Sequence, residues 1–366
     1  MNNLEIIYPK LESMELTDEP LPIPIALIKP ENEKRNELTL TDMPFEIITA
    51  VLMNLHPLEQ YSCYGVSKGI RRIVEKKLAL PKTLGIYLSG KKCVVFADGK
   101  SCEYFKEARG CGYGYGTYEA MYDFIEHIEC ECNREKRRGF LEGVTYVHAG
   151  LNVFLAILMT PDIHLELLWI YCRNGYNPNN FIATIKKTLI SLKDQLQVTK
   201  VRLDNLNSNQ AMQIIPNLKP KTLKIIYMDK GIIEEDGNEN MKELTSTKQW
   251  KAAVEIKIFF YTMIPIRNHL HLEKILIMRH TMTARELANI KKSMFKHKHI
   301  RQIEVVIKDA NFDNGIARRV LGPCTPDPTE PEAGFYHGSD TVLDIYMHKD
   351  DDDDGSTGIL MTRLPK

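Results

Sequence analysis

Residues 198–231 read VTKVRLDNLNSNQAMQIIPNLKPKTLKIIYMDKG. Val198–Leu203 and Leu223–Met228 are short aliphatic runs of strand type, and Gln210–Leu218 between them has helical spacing, so the stretch forms one strand–helix–strand unit. The pairing recurs on both sides. Upstream, helical Leu151–Leu158 leads to a strand at Leu165–Tyr171, and Phe181–Lys193 leads to Val198–Leu203. Downstream come strands at Ala253–Phe260 and Glu273–Met278, the helix Thr283–Lys296 and the strand Arg301–Ile307. Strand-to-strand intervals of roughly 20 to 35 residues suggest an irregular, leucine-rich-repeat-like α/β solenoid over 149–310, with a conventional α/β domain as the alternative. In either case right-handed crossovers favour a parallel sheet with helices on one face.

Antiparallel strands flank this body, which makes the chain as a whole α+β / α/β. From Leu84 to Glu107 the sequence alternates in strand fashion around turn signals at Ser89-Gly90 and Asp98-Gly99, giving a β-rich connector over 81–148. Residues 311–366 begin with Pro323, Pro326, Pro328 and Pro331 and close with strand-like Val342–Met347 and Gly358–Leu364. The run Asp350–Asp354 between them lacks the alternation and the glycine of a Ca²⁺ loop, so it reads as a solvated hairpin loop. Residues 1–37, with Pro20, Pro22, Pro24 and Pro30, read as an extended or disordered lead-in.

Composition bounds the function. Lysine plus arginine equals aspartate plus glutamate at 48 each, so no global field draws the chain to nucleic acid or an acidic membrane. Ile23–Ile28 is too short to span a bilayer, and acidic Met1–Asp18 has no basic segment leading into an apolar one, as a secretion signal would. The eight scattered cysteines then read as free thiols in the reducing cytoplasm or nucleus.

Signs of chemistry are weak. Cys93, Cys102, Cys111, Cys130 and Cys132, with His127 and His148, lack the C-x₂₋₄-C spacing of a zinc knuckle. Gly110, Gly112, Gly114 and Gly116 precede a possible helix at Thr117–Glu129, but the lysine of a phosphate loop is missing, and a mobile tyrosine-bearing loop is expected. The basic groups Arg134, Lys136, Arg137 and Arg138, and Lys291, Lys292, Lys296 and Lys298 with His297 and His299, carry no aromatic stacking motif of the kind that holds RNA bases. H-E-x-x-H does not occur, and no catalytic residue, cofactor or metal is expected.

The remaining segment, 38–80, contains Leu40–Val74, LTDMPFEIITAVLMNLHPLEQYSCYGVSKGIRRIV. Asp42 stands at a cap position, Pro44 falls in a first turn, and Phe45, Ile48, Leu52 and Leu55 share a helical face that Ile47 and Val51 widen. Pro57 opens a second short helix containing Leu58, and Ser67 caps a third containing Ile70 and Ile73. So small a unit buries too little to fold well alone and is built to dock.

The order Met43-Pro44, Glu46-Ile47-Ile48, Leu52, Leu55, Pro57-Leu58 and Val66-Ser67-Lys68 resembles the F-box. Val198–Gly231, Gln249–Phe260 and Leu272–Lys292 resemble the nematode F-box-associated FTH domain. The resemblance implies a substrate receptor of an SCF-type ubiquitin ligase. Leu40, Pro44, Phe45, Ile47, Ile48, Leu52, Leu55, Pro57, Leu58, Val66 and Ile70 would dock on a Skp-type adaptor that joins a cullin, and the FTH region would bind a target protein. Gln60, Tyr64 and Gly65 depart from the basic residues common in nematode F-boxes. The alternative is therefore a ligase-independent protein–protein or RNA-associated scaffold with a weakened F-box.

Overall fold

The computed structural model describes residues 43–55, 58, 60, 63, 69–70, 73, 80–117, 135–173, 177–229, 238–262, 264–308, 314–326, 333–338, 340–349 and 356–364. It is a mixed α/β structure that divides into two compact units, Met1–Gln197 and Val198–Lys366.

The first unit contains α1 (Phe45–Met53), β1 (Thr83–Leu88), β2 (Lys92–Ala97), β3 (Lys100–Glu107), β4 (Gly110–Thr117), β5 (Glu135–Glu142), α2 (Tyr146–Leu158), β6 (His164–Cys172) and α3 (Asn179–Ser191). Its strand order is β6-β1-β2-β3-β4-β5, antiparallel throughout except for the parallel pair β1–β6. Leu84–Leu88 of β1 are buried on both faces, which suits a strand flanked by β2 and β6. One face gathers Tyr87, Val94, Phe96 and Trp169, with Tyr87 and Tyr171 stacked at 5.0 Å. The other meets α2, whose Tyr146 hydroxyl donates to the Ser89 carbonyl at 3.0 Å. Contact there is close at Gly150, where a Cβ would lie 2.4 Å from the Cys93 sulfur.

The second unit starts with five parallel strands in chain order, β7 (Gln197–Asp204), β8 (Ile225–Asp229), β9 (Glu255–Tyr261), β10 (Lys274–Arg279) and β11 (Gln302–Ile307). Between them run α4 (Ser208–Ile214), α5 (Asn238–Ser246), α6 (Lys248–Ala252) and α7 (Ala284–Lys296). The β9–β10 connection carries the 3₁₀ turn Ile266–His269. Then come α8 (Asn314–Leu321) and β12 (Thr325–Pro326), β13 (Ala333–His337), β14 (Val342–Lys349) and β15 (Thr357–Leu364), with β15 antiparallel between β11 and β14.

Burial alternates along β8 to β11. Val201 and Leu203, Ile226 and Met228, Ile256 and Ile258, Ile275 and Ile277, and Ile303 and Val305 occupy matching rows of one buried face. The helices add Ile214, Trp250, Leu287, Ile290 and Met294 to the buried set. Capping boxes start α4 and α7: Asn207 with Gln210, and Thr283 with Glu286. At the other end of α7, Arg363 of β15 donates to the carbonyls of Ile300 at 2.9 Å, His297 at 3.1 Å and Met294, and to Thr341 Oγ1 at 2.9 Å. One planar guanidinium thus satisfies carbonyls that the helix leaves open and pins β15 beside β11.

The expected strands at Leu165–Tyr171 through Arg301–Ile307 and the terminal pair all occur, with ends moved by a residue or two. The tyrosine–glycine stretch 110–116 is not a mobile loop. It belongs to β4, paired with β3 and β5, and Cys111 and Tyr113 alternate with glycine as a strand requires. Glycine is needed where β5 comes closest, since a Cβ on Gly110 would lie 2.1 Å from the Leu141 carbonyl oxygen. Three helices were not anticipated: α5, α6 and α8. The lead-in 1–37, the proposed helix after Thr117 and the aspartate run Asp350–Asp354 lie outside the described residues, as do most residues of the second and third short helices expected in 38–80.

Two substitutions test this packing. Gly150→Ala gains about 1 kcal/mol of helix propensity but costs more through overpacking against Cys93. It is expected to lower the denaturant midpoint of the full chain, and adding Cys93→Ala should reverse the sign. Arg363→Ala should destabilise the chain by about 2 kcal/mol in urea denaturation, with Lys restoring only part of the loss.

Candidate partner-binding surfaces

Helix α1 follows Pro44, whose extended backbone (φ −53°, ψ 144°) turns its carbonyl to accept from Ile47 and Ile48 at 3.0 and 3.1 Å. Pro44 therefore stands just before the helix, not inside its first turn. Ile48 and Leu52 pack with Ile70 and Ile73, and Met43, Leu55 and Cys63 lie against them. Leu58 is also buried. Gln60 is turned inward and donates from Nε2 to the Leu55 carbonyl at 2.9 Å, tying the following segment to the end of α1. The outward side differs. Phe45 is 58% and Ile47 49% exposed, beside exposed Pro44 and Glu46. Of the eleven residues expected to dock, Ile48, Leu52, Leu58 and Ile70 thus face inward, Leu55 is half-buried, and Pro44, Phe45 and Ile47 are presented. Leu40, Pro57 and Val66 lie outside the described residues.

The second surface is the other face of the β7–β11 sheet, from which no residue was singled out in the sequence. Parallel sheets normally bury both faces, yet here every alternate residue is only half-buried on β8, β9 and β11. The register places Tyr227, Lys257, Leu276 and Glu304 in one row across β8 to β11. Tyr227 meets Phe259 at 4.9 Å between ring centroids, and Tyr261 stacks on His280 at 4.5 Å. Cations cover two of these rings: Arg202 stands 4.4 Å over Tyr227 and Lys308 5.2 Å over Tyr261. Arg202 also pairs with Asp204 at 2.7 Å, both side chains buried. The clue in the sequence was the period-two alternation within IIYMD and EIKIFFY, where a polar or aromatic residue falls between buried aliphatics.

The residues flagged for other chemistry separate. Cys93, Cys102, Cys111 and Cys172 are buried and interact in the first unit. Burial pushes the Cys93 and Cys172 thiols up and Cys111 to about 12, so none of these three is poised as a nucleophile. Cys172 was not among the cysteines singled out. His148 sits in the first turn of α2 beside Thr145, its Nδ1 2.7 Å from the hydroxyl, and burial lowers its pKa. Cys130, Cys132 and His127 lie outside the described residues. Among the described residues no group of three or more His, Cys, Asp or Glu is placed to hold a metal ion, and no helix is long and apolar enough to cross a membrane. Of the basic residues near the end of α7, Lys291 donates to the Leu321 carbonyl, Lys298 pairs with Asp340 and His299 bonds the Leu270 carbonyl, so much of that charge serves the fold.

Comparison with known proteins gives one family match and one distant relative. Residues 179–323 match the FTH domain. The chain is also similar to F-box A protein 224 of Caenorhabditis elegans, 21% identical over 241 residues, which is 64% of this chain and 57% of that protein. No solved structure matches the chain.

The two sides of α1 should respond differently to truncation. Leu52→Ala is expected to destabilise the N-terminal cluster by about 2–5 kcal/mol, whereas Phe45→Ala should change stability by no more than about 0.5 kcal/mol. Amide exchange across α1 would measure both.

Proposed function

We propose that this protein is a non-catalytic recruiting subunit of F-box type, working in the cytoplasm or nucleus. The observation that carries the reading is the outward placement of Phe45 and Ile47 on a helix whose inner side is already packed, upstream of a region matching the FTH domain. Pro44, Phe45 and Ile47 contact a Skp-type adaptor directly. Ile48, Leu52, Leu58 and Ile70 shape the helix that presents them, and Leu40, Leu55, Pro57 and Val66 complete the docking segment.

The adaptor joins a cullin and its ubiquitin-charged conjugating enzyme. A target protein is held by the FTH-matching region, with the half-buried sheet face of β7–β11 as its contact. Ubiquitin transfer is then accelerated by proximity, since a bound target lysine meets the thioester at high effective concentration. The departure at Gln60 bears little on docking, because its amide is spent inside the unit.

Fully burying a phenylalanine and an isoleucine is worth roughly 1.5–3 kcal/mol each. A Phe45→Asp/Ile47→Asp variant should therefore lose at least about tenfold in affinity for a recombinant Skp-type adaptor, measured by calorimetry, with its unfolding midpoint nearly unchanged. Equal and negligible binding by wild type and variant would remove the ligase reading and leave the ligase-independent scaffold.

A further inference from the structure

The connection from β9 to β10 is held by three imidazoles. His271 Nε2 donates to the Trp250 carbonyl at 3.0 Å, and His299 Nε2 to the Leu270 carbonyl at 2.8 Å. Both contacts use an N–H that persists when the ring gains a proton. His269 is different. It ends the 3₁₀ turn, is fully buried, packs on the Trp250 indole at 5.7 Å between centroids, and has no hydrogen-bond partner at either ring nitrogen.

The groups around His269 tolerate only its neutral form. Arg279 approaches from β10 and His271 from the same connection, and both oppose a second positive charge. From α6 comes Trp250, whose indole nitrogen is a donor and cannot accept from an imidazolium. The carboxylate of Glu286 on α7 is already engaged by Arg279 at 3.3 Å and by the Thr283 amide and hydroxyl at 2.9 and 3.0 Å. We propose that His269 is an acid-sensitive latch: its neutral ring keeps the β9–β10 connection shut against Trp250, and its protonation releases that connection.

The direction follows from linkage. Burial first, then His271 and Arg279, pull the His269 pKa from 6.5 down to about 4. The opened turn therefore takes up a proton more readily than the closed one. Opening is favoured progressively as pH falls from 6.5 to about 4, and at neutral pH the latch is closed.

Hydrogen exchange on the full chain tests this. After correction for intrinsic rates, amides of the β9–β10 connection should lose about 30-fold in protection between pH 7.5 and pH 5.0, while those of β1 and β2 stay constant. In His269→Phe the connection should show no such change. Equal pH dependence in wild type and variant would overturn the proposal. Should the variant fail to fold, a ring titration of wild-type His269 by NMR decides: a midpoint near 4 supports the latch, and one near 6.5 rejects it.

Discussion

The second unit depends on one constraint, the two-residue alternation of buried and more exposed side chains repeated in register across β8 to β11. The side-chain period of a strand is two, so sliding any of these strands by one residue would exchange Ile256 and Ile258 for Lys257, or Ile303 and Val305 for Glu304, at the core. The penalty for burying such a charge fixes the register. Because β7 to β11 follow one another in chain order, these five form no switch point, the place where an open α/β sheet usually makes a ligand crevice. Such a sheet has a broad face to offer, not a cleft.

The same economy operates at α1. Its inner side chains join Ile70 and Ile73 in a small cluster, while Phe45 and Ile47 stay outside. In both places one set of residues folds the element and a different set is presented. Substitutions on the two sides therefore have separable effects.

Much of the sheet was legible because its aliphatic runs are short, regular and bounded by helical spacing. Helices α5 and α6 were not, since Asn238–Ser246 offers only Met241 and Leu244 as anchors and the deepest residue nearby, Trp250, lies in a five-residue helix. The run 110–116 misled because glycine at every second position hides strand alternation. At Gly110 the need for glycine comes from β5, a partner that local spacing cannot reveal. In the segment 38–80 the order of apolar residues was readable, but not which of them turn inward. That division depends on Ile70 and Ile73, more than twenty residues downstream of Phe45.

The placement of β15 between β11 and β14 also bears on how the chain is made. Strands β7 to β11 can be added in the order in which they leave the ribosome, each covering the edge of the one before. At β11 that vectorial growth halts, because its next neighbour is synthesised only after α8 and three further strands. Until then β11 keeps an open edge and α7 lacks the guanidinium that closes its carbonyls. A nascent chain paused in that interval is the species that a chaperone would have to guard.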